Sequence, residues 1–190
     1  GGKLYVFNKN ENIGFIKGYM CSPAIATQAE DLIAGGVKEL IHVGYAGGLQ
    51  PELVPGDIIL TDGAFNDTAV ARLYGYDYEI ICSSKDLTNE IEEMITSAEI
   101  PYKRGLHWTT DAGYRETWGQ VMDYRDKGAL CVEMEGVGLF TIANYRKCVA
   151  TGIYVVSDVY SENDWKLGWE GNNIKRAVGA VIDMIIESIR

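Results

Sequence analysis

The chain has 190 residues, 47% of them apolar, and its 27 acidic and 17 basic side chains give a net charge of −10. That length suits a single core, so one domain over residues 1–190 is expected, and the charge excludes general nucleic-acid binding, which needs a basic face to displace counterions. No run approaches the roughly 18 uncharged apolar residues of a membrane span, so no membrane partner is expected.

No secretory signal is visible at Gly1 to Val6, and a start at Gly-Gly without methionine marks a processed, tagged or shortened chain. Cys21, Cys82, Cys131 and Cys148 lie far apart without paired spacing, so neither a zinc knuckle nor a redox motif is present. They read as buried thiols in a reducing cytoplasm.

Strands are expected at Lys3 to Phe7 and Phe15 to Met20. The first helix then runs from Ala24 to Ala34, with Ser22 as N-cap and Pro23 at its first position, and stops at Gly35-Gly36. Its start follows a strand directly, so its unbonded N–H groups can face an anion. A strand from Glu39 to Val43 leads into Gly44-Tyr45-Ala46-Gly47-Gly48, read as a glycine-rich turn whose amides approach a ligand closely, although most such turns hold nothing. After the tight turn at Pro55-Gly56 come strands from Asp57 to Asp62 and Tyr78 to Cys82. The helix from Lys85 to Ala98 spaces Leu87, Ile91 and Ile95 four apart and is expected only to pack.

Strands follow at Tyr102 to Thr109, Leu130 to Met134 and Val149 to Ser157. A third helix comes after Glu135, and a fourth, from about Asn172 to Ile189, carries Ile174, Val178, Val181, Ile182 and Ile185 on one face. Alternation of β-rich and helical segments predicts an α/β fold, three-layer α/β/α with a mixed, partly barrel-like central sheet. His42 and His107 sit on separate strands without ligand spacing, so no metal site is expected.

Chemistry concentrates at two strand ends. Cys131-Val132-Glu133-Met134-Glu135 closes one apolar run and Ser157-Asp158 the next, placing carboxylates where open α/β sheets keep their ligand sites. A single acid of this kind is most simply a solvated strand end. Three at matching ends, each followed by a helix or loop signal, favour a site.

Four segments in order resemble the nucleoside phosphorylase and uridine phosphorylase superfamily: Gly18-Tyr19-Met20-Cys21-Ser22-Pro23; His42 to Leu49 with Pro55-Gly56-Asp57; Thr109 to Thr117; and Val132 to Glu135 followed by Val156-Ser157-Asp158. The resemblance covers nearly all of Gly18 to Arg190. It implies cleavage of an N-glycosidic bond through an oxocarbenium-like sugar, which a carboxylate beneath the ribose orients and stabilises. It gives Glu135 that role, with Met134 against the sugar and Glu133 supporting the loop. Asp158 matches the acid that protonates a departing purine, which requires a raised carboxyl pKa. Thr109, Thr110, Asp111, Tyr114 and Val132 would line the base side. Gly113 stands where many purine-cleaving relatives have a stacking aromatic, and Trp165 or Trp169 would replace that surface or simply pack.

For phosphate, the resemblance points to Gly18, Ser22, His42, Gly44 and Tyr45. Relatives normally carry an arginine at the place of His42 and a serine or threonine at that of Tyr45, and a mostly neutral histidine offers phosphate fewer donors. The alternative for His42 is a strand histidine satisfied by a backbone partner. Relatives also carry several dozen upstream residues, with a phosphate-binding arginine, and borrow a histidine from a neighbouring subunit; neither has a counterpart here, as expected of a shortened chain or of a minimal member whose nucleophile is not phosphate.

The leading expectation is a nucleoside phosphorylase acting on a nucleoside, purine by preference, with inorganic phosphate as co-substrate and no cofactor. A phosphate-independent nucleosidase and a non-catalytic nucleoside binder are the alternatives. The family implies a homodimer or homohexamer, and Tyr74, Tyr76 and Tyr78 are aromatics suited to an interface.

Overall fold

A computed structural model describes residues 3–7, 10–161, 164–168 and 171–188. Among the described residues two strands, β1 (Leu4–Phe7) and β2 (Asn10–Ile16), pair only with each other, as an antiparallel hairpin. The main sheet holds β3 (Glu39–Gly48), β4 (Ile58–Asp67), β5 (Ile80–Cys82), β6 (Lys103–Thr110), β7 (Cys131–Glu133), β8 (Val149–Ser161) and β9 (Asp164–Leu167). Their order is β5-β4-β6-β7-β3-β8-β9, and a further β4–β8 pairing closes the five strands from β4 to β8 into a barrel. Pairing is parallel for β3–β8, β4–β6 and β6–β7, and antiparallel for β3–β7 and β4–β8. This is the mixed, barrel-like sheet that the sequence predicts.

Helices cover the sheet from two sides. On one, α1 (Ser22–Ala34), α2 (Val70–Leu73) and α5 (Gly136–Arg146) pack through Ile25, Ala29, Ala71, Val137, Phe140 and Ile142. On the other, α3 (Lys85–Ser97) and α6 (Asn172–Ser188) bury Leu87, Ile91, Ile95, Ile174, Val181 and Ile185 against Ile58, Leu60 and Ile153. The apolar face of α6 also includes Ala177 and Met184, whereas Ile182, expected on that face, is 37% exposed. A shorter helix, α4 (Trp118–Asp126), follows a 3-10 turn at Gly113–Arg115 and covers the barrel end through Val121.

Several boundaries depart from the sequence reading. Gly44 to Gly48 is not a turn: β3 runs through it in parallel register with β8, with one bulge between Ala46 and Gly47. The glycines serve close packing, since a Cβ on Gly47 would lie 2.7 Å from the Tyr160 ring and one on Gly44 3.1 Å from the His42 ring. The second strand ends at Ile16, so Lys17 to Met20 form an irregular approach to α1. Helices α2 and α4 and strand β9 were not foreseen. The cysteines are all free, but only Cys131 is buried; Cys82 is exposed, while Cys21 and Cys148 lie between.

Ser22 is not the N-cap of α1. Cys21 holds that position, with φ 74° and ψ 149°, and no side chain caps the helix. That conformation is open mainly to glycine and costs about 1–3 kcal/mol, so surrounding contacts must impose it.

Candidate active site

The contact that aims the Cys21 backbone comes from the loop between β7 and α5. Its N–H donates to Glu135 Oε1 at 2.7 Å, tying the entry to α1 to the loop entering α5. The Ser22 hydroxyl adds a bond to the Met134 carbonyl at 3.0 Å. Ser22 is fully buried, so this hydroxyl braces the loop and is not turned to solvent, as a phosphate ligand would be. Glycine at 138 permits the junction: a Cβ there would stand 2.5 Å from the Ser22 carbonyl oxygen.

Glu133 is buried behind this loop. Its Oε2 accepts from the N–H groups of Glu135 and Gly136, both at 2.8 Å, so one carboxylate oxygen fixes the turn into α5. Its Oε1 accepts from the Thr109 hydroxyl and lies 3.0 Å from His107 Nε2. Thr109 in turn accepts from the Val137 N–H at 3.2 Å, and His107 Nδ1 lies 2.6 Å from the Thr61 hydroxyl. Thr109 and Glu133 are register partners on β6 and β7, and His107 precedes Thr109 by two on the same face. Strand pairing thus assembles the network.

The two glutamates are driven apart. Burial would raise the Glu133 carboxyl, but His107, with the hydrogen bonds from His107 and Thr109, holds it down at about 2. Glu135 moves the other way: burial first and the Glu133 charge second push it to about 7, against the opposing backbone hydrogen bonds from Cys21 and Met134.

Asp158 belongs to the opposite wall. It is buried on β8, accepts from the Ser157 hydroxyl through Oδ1, and directs Oδ2 to within 3.3 Å of where a Gly47 Cβ would lie. Tyr160 packs against the same glycine and donates its hydroxyl to Glu116 Oε2 at 2.7 Å. The Met134 sulfur and Glu116 Oε1 both face Gly113, at 3.7 and 3.5 Å from its missing Cβ. Glu135, Met134, Glu116 and Asp158 therefore belong to two connected walls formed by β7, the 3-10 turn and β8.

Other anticipated residues are less uniform. Gly18, His42 and Gly44 meet: the imidazole Nε2 lies 3.8 Å from a Gly18 Cβ position and 3.3 Å from that of Gly44. Burial lowers the His42 pKa, with the Glu133 charge opposing, so its ring is neutral at pH 7, and Nδ1 is buried without a hydrogen-bond partner. The backbone partner considered for His42 is thus absent at Nδ1. Tyr45 is exposed.

On the base side, Thr109 is committed to Glu133, Thr110 accepts from the Ala112 N–H at 3.3 Å, and Asp111 accepts from the Ala69 N–H at 3.0 Å. Val132 is a core residue beside Gly47. Tyr114, expected to line the base, is fully exposed, because the 3-10 turn directs it outward. The Trp165 side chain and Trp169 lie outside the described residues. The sequence reading passed over the roles of Thr61, His107, Cys21, Glu116 and Tyr160; a signal for one of them, His107, was the alternation His107-x-Thr109 on one strand face. Among the described residues no group of three or more His, Cys, Asp or Glu side chains could hold a metal ion, and no helix is long and apolar enough to cross a membrane.

The chain has relatives among known proteins. The family model of the phosphorylase superfamily matches residues 1–189. The chain belongs to that superfamily. It is 33% identical over 139 residues to a DeoD-type purine nucleoside phosphorylase of Exiguobacterium sibiricum, covering 72% of this chain and 59% of the relative. The DeoD-type purine nucleoside phosphorylase of Caldanaerobacter subterraneus subsp. tengcongensis is 34% identical over 139 residues, covering 72% and 60%. The chain thus matches about three-fifths of these relatives' length. A solved structure described as the P. knowlesi homolog of P. falciparum PNP shares the fold, with TM-score 0.74 and 23% identity, covering 87% of this chain and 66% of that one.

Proposed function

We propose that residues 1–190 act as one nucleoside phosphorylase-like unit that cleaves the N-glycosidic bond of a purine nucleoside, with phosphate as acceptor, to give free base and ribose 1-phosphate. The observation that carries this reading is the opposed pair at the end of β7, with Glu133 held ionised and buried and Glu135 held near neutrality on a loop braced by Cys21 and Ser22. Glu135 binds the ribose hydroxyls and answers the positive charge that develops on the sugar, with Met134 against its face. Asp158 delivers a proton to the purine as the bond breaks.

A second reading is favoured by His42. Its half-buried, neutral imidazole supplies no permanent positive charge to an anion, so water as nucleophile, and hence a nucleosidase, is the alternative. The similarity to DeoD-type purine nucleoside phosphorylases supports phosphorolysis and the purine preference. A cytoplasmic protein associating as a homodimer or homohexamer completes the proposal.

Chromatographic assay of base release from inosine, adenosine, guanosine and uridine, with and without phosphate, tests it. Phosphate-dependent release supports the phosphorylase, equal release in its absence transfers the assignment to the nucleosidase, and no release with any nucleoside removes both. In the same assay Asp158→Asn should lose about a hundredfold or more of purine cleavage while keeping its fold. Unchanged turnover would remove Asp158 from the mechanism.

A further inference from the structure

Glu116 lies just beyond the 3-10 turn, and the functional assignment above gives it no role. Its carboxyl is fixed at one end only. Tyr160 donates to Oε2 at 2.7 Å, while Oε1 is turned toward the space that Gly113 leaves open, where the Met134 sulfur also points. Tyr160 is the link to the other wall, because its ring packs at Gly47 beside Asp158 Oδ2. Tyr160 therefore binds Glu116 and packs at the same glycine that Asp158 faces.

Burial raises the Glu116 carboxyl, the Tyr160 hydrogen bond opposes this, and the Asp158 charge adds to the rise. The Tyr160 hydroxyl occupies Oε2, which leaves Oε1 as the acceptor that faces the space beside Gly113. An adenine presents the complement along its N7 edge, an acceptor at N7 and a donor at the 6-amino group, whereas a 6-oxopurine presents acceptors at both positions.

We propose that Glu116 is a specificity-determining residue whose Oε1 accepts a hydrogen from the 6-amino group of the base while Asp158 serves N7, so that the site prefers 6-aminopurines to 6-oxopurines. This rests on the purine-nucleoside reading above. Tyr160 is a positioning residue for Glu116. A 6-oxopurine would set its acceptor oxygen against Glu116 Oε1, itself an acceptor.

The test is calorimetric binding of adenine and of hypoxanthine to the wild-type chain, Glu116→Gln and Glu116→Ala, with kcat/KM for adenosine and inosine alongside. The wild type should bind adenine about tenfold or more tighter than hypoxanthine. Glu116→Gln, whose amide nitrogen can donate to a 6-oxygen, should shift that ratio toward hypoxanthine by about tenfold, and Glu116→Ala should weaken adenine while leaving hypoxanthine nearly unchanged. The Gln variant keeps shape and volume, so it carries the test if the Ala variant fails to fold.

A ratio that stays the same in wild type and Glu116→Gln overturns the proposal, as does failure of the wild type to bind either base. Nucleoside cleavage with an unmoved ratio would remove Glu116 and leave the activity standing. A shifted ratio without cleavage would support Glu116 as a reader of the base and remove the proposed activity.

Discussion

Glu133 and Glu135 stand two residues apart, yet their surroundings set them on opposite sides of the ordinary carboxyl range. Stability therefore depends on pH with two signs. Glu135 keeps its proton in the folded chain up to about pH 7 and releases it near 4.5 when unfolded, so its contribution is full below 4.5 and is lost as pH rises to 7. Glu133 does the reverse: its contribution is present above 4.5 and disappears as pH falls toward 2. Thermal melts of Glu135→Gln should show a shallower fall in midpoint between pH 5 and 8 than the wild type; parallel curves would contradict the raised pKa. His107→Ala should cost about 3–5 kcal/mol in urea unfolding, because it removes a buried imidazole that lies 3.0 Å from Glu133 Oε1 and leaves a cavity beside that charge. A loss below about 1 kcal/mol would mean that water replaces the imidazole. Tyr114 shows the limit of motif reading, since its neighbours match the family pattern while its ring faces solvent.

At the scale of elements, the helix starts were partly legible. Ser22-Pro23 correctly announces α1, but tertiary contact decides what Ser22 does, because the Met134 carbonyl takes its hydroxyl and leaves Cys21 in the cap position. The start of α4 was fully signalled by Thr117-Trp118-Gly119-Gln120, and both reciprocal bonds of a capping box are present, Gln120 N–H to Thr117 at 3.3 Å and Thr117 N–H to Gln120 at 3.2 Å. It was passed over because α4 buries only Val121 and so lacks an apolar stripe. The approach of α5 to α1 depends on Gly138. Gly138→Ala should force the Ser22 backbone away from α5 and lower stability by about 1–3 kcal/mol. A chemical denaturation midpoint equal to the wild type would show that the helices separate without strain.

For the whole molecule, barrel closure brings the site together. β4 pairs with both β6 and β8, so strands distant in the chain bring their acids to one barrel end. Outside the barrel, the β1–β2 hairpin exposes Leu4 by 53%, Tyr5 by 63% and Val6 by 52%, with Phe15 also exposed. Among the described residues this hairpin pairs with no other strand, and its exposed apolar side chains are where the proposed association would bury surface. Light scattering should find more than one chain per particle at micromolar concentration, and Leu4→Asp with Val6→Asp should reduce the mass. A wild-type monomer would remove the proposed association.

By itself, the sequence determined the alternation of strands and helices, the packing faces of α3 and much of α6, and the acids at the ends of β7 and β8. These are local properties, set by side-chain period, capping chemistry and the improbability of carboxylates closing apolar runs. Only the tertiary structure decided that Gly44 to Gly48 is strand, that Ser22 braces a loop, that His107 and Thr109 hold Glu133, and that Glu116 meets Tyr160. Each of these depends on strand register and on which backbones approach closely enough to forbid a Cβ. Those distances arise when the barrel closes, and no local window of the chain contains them.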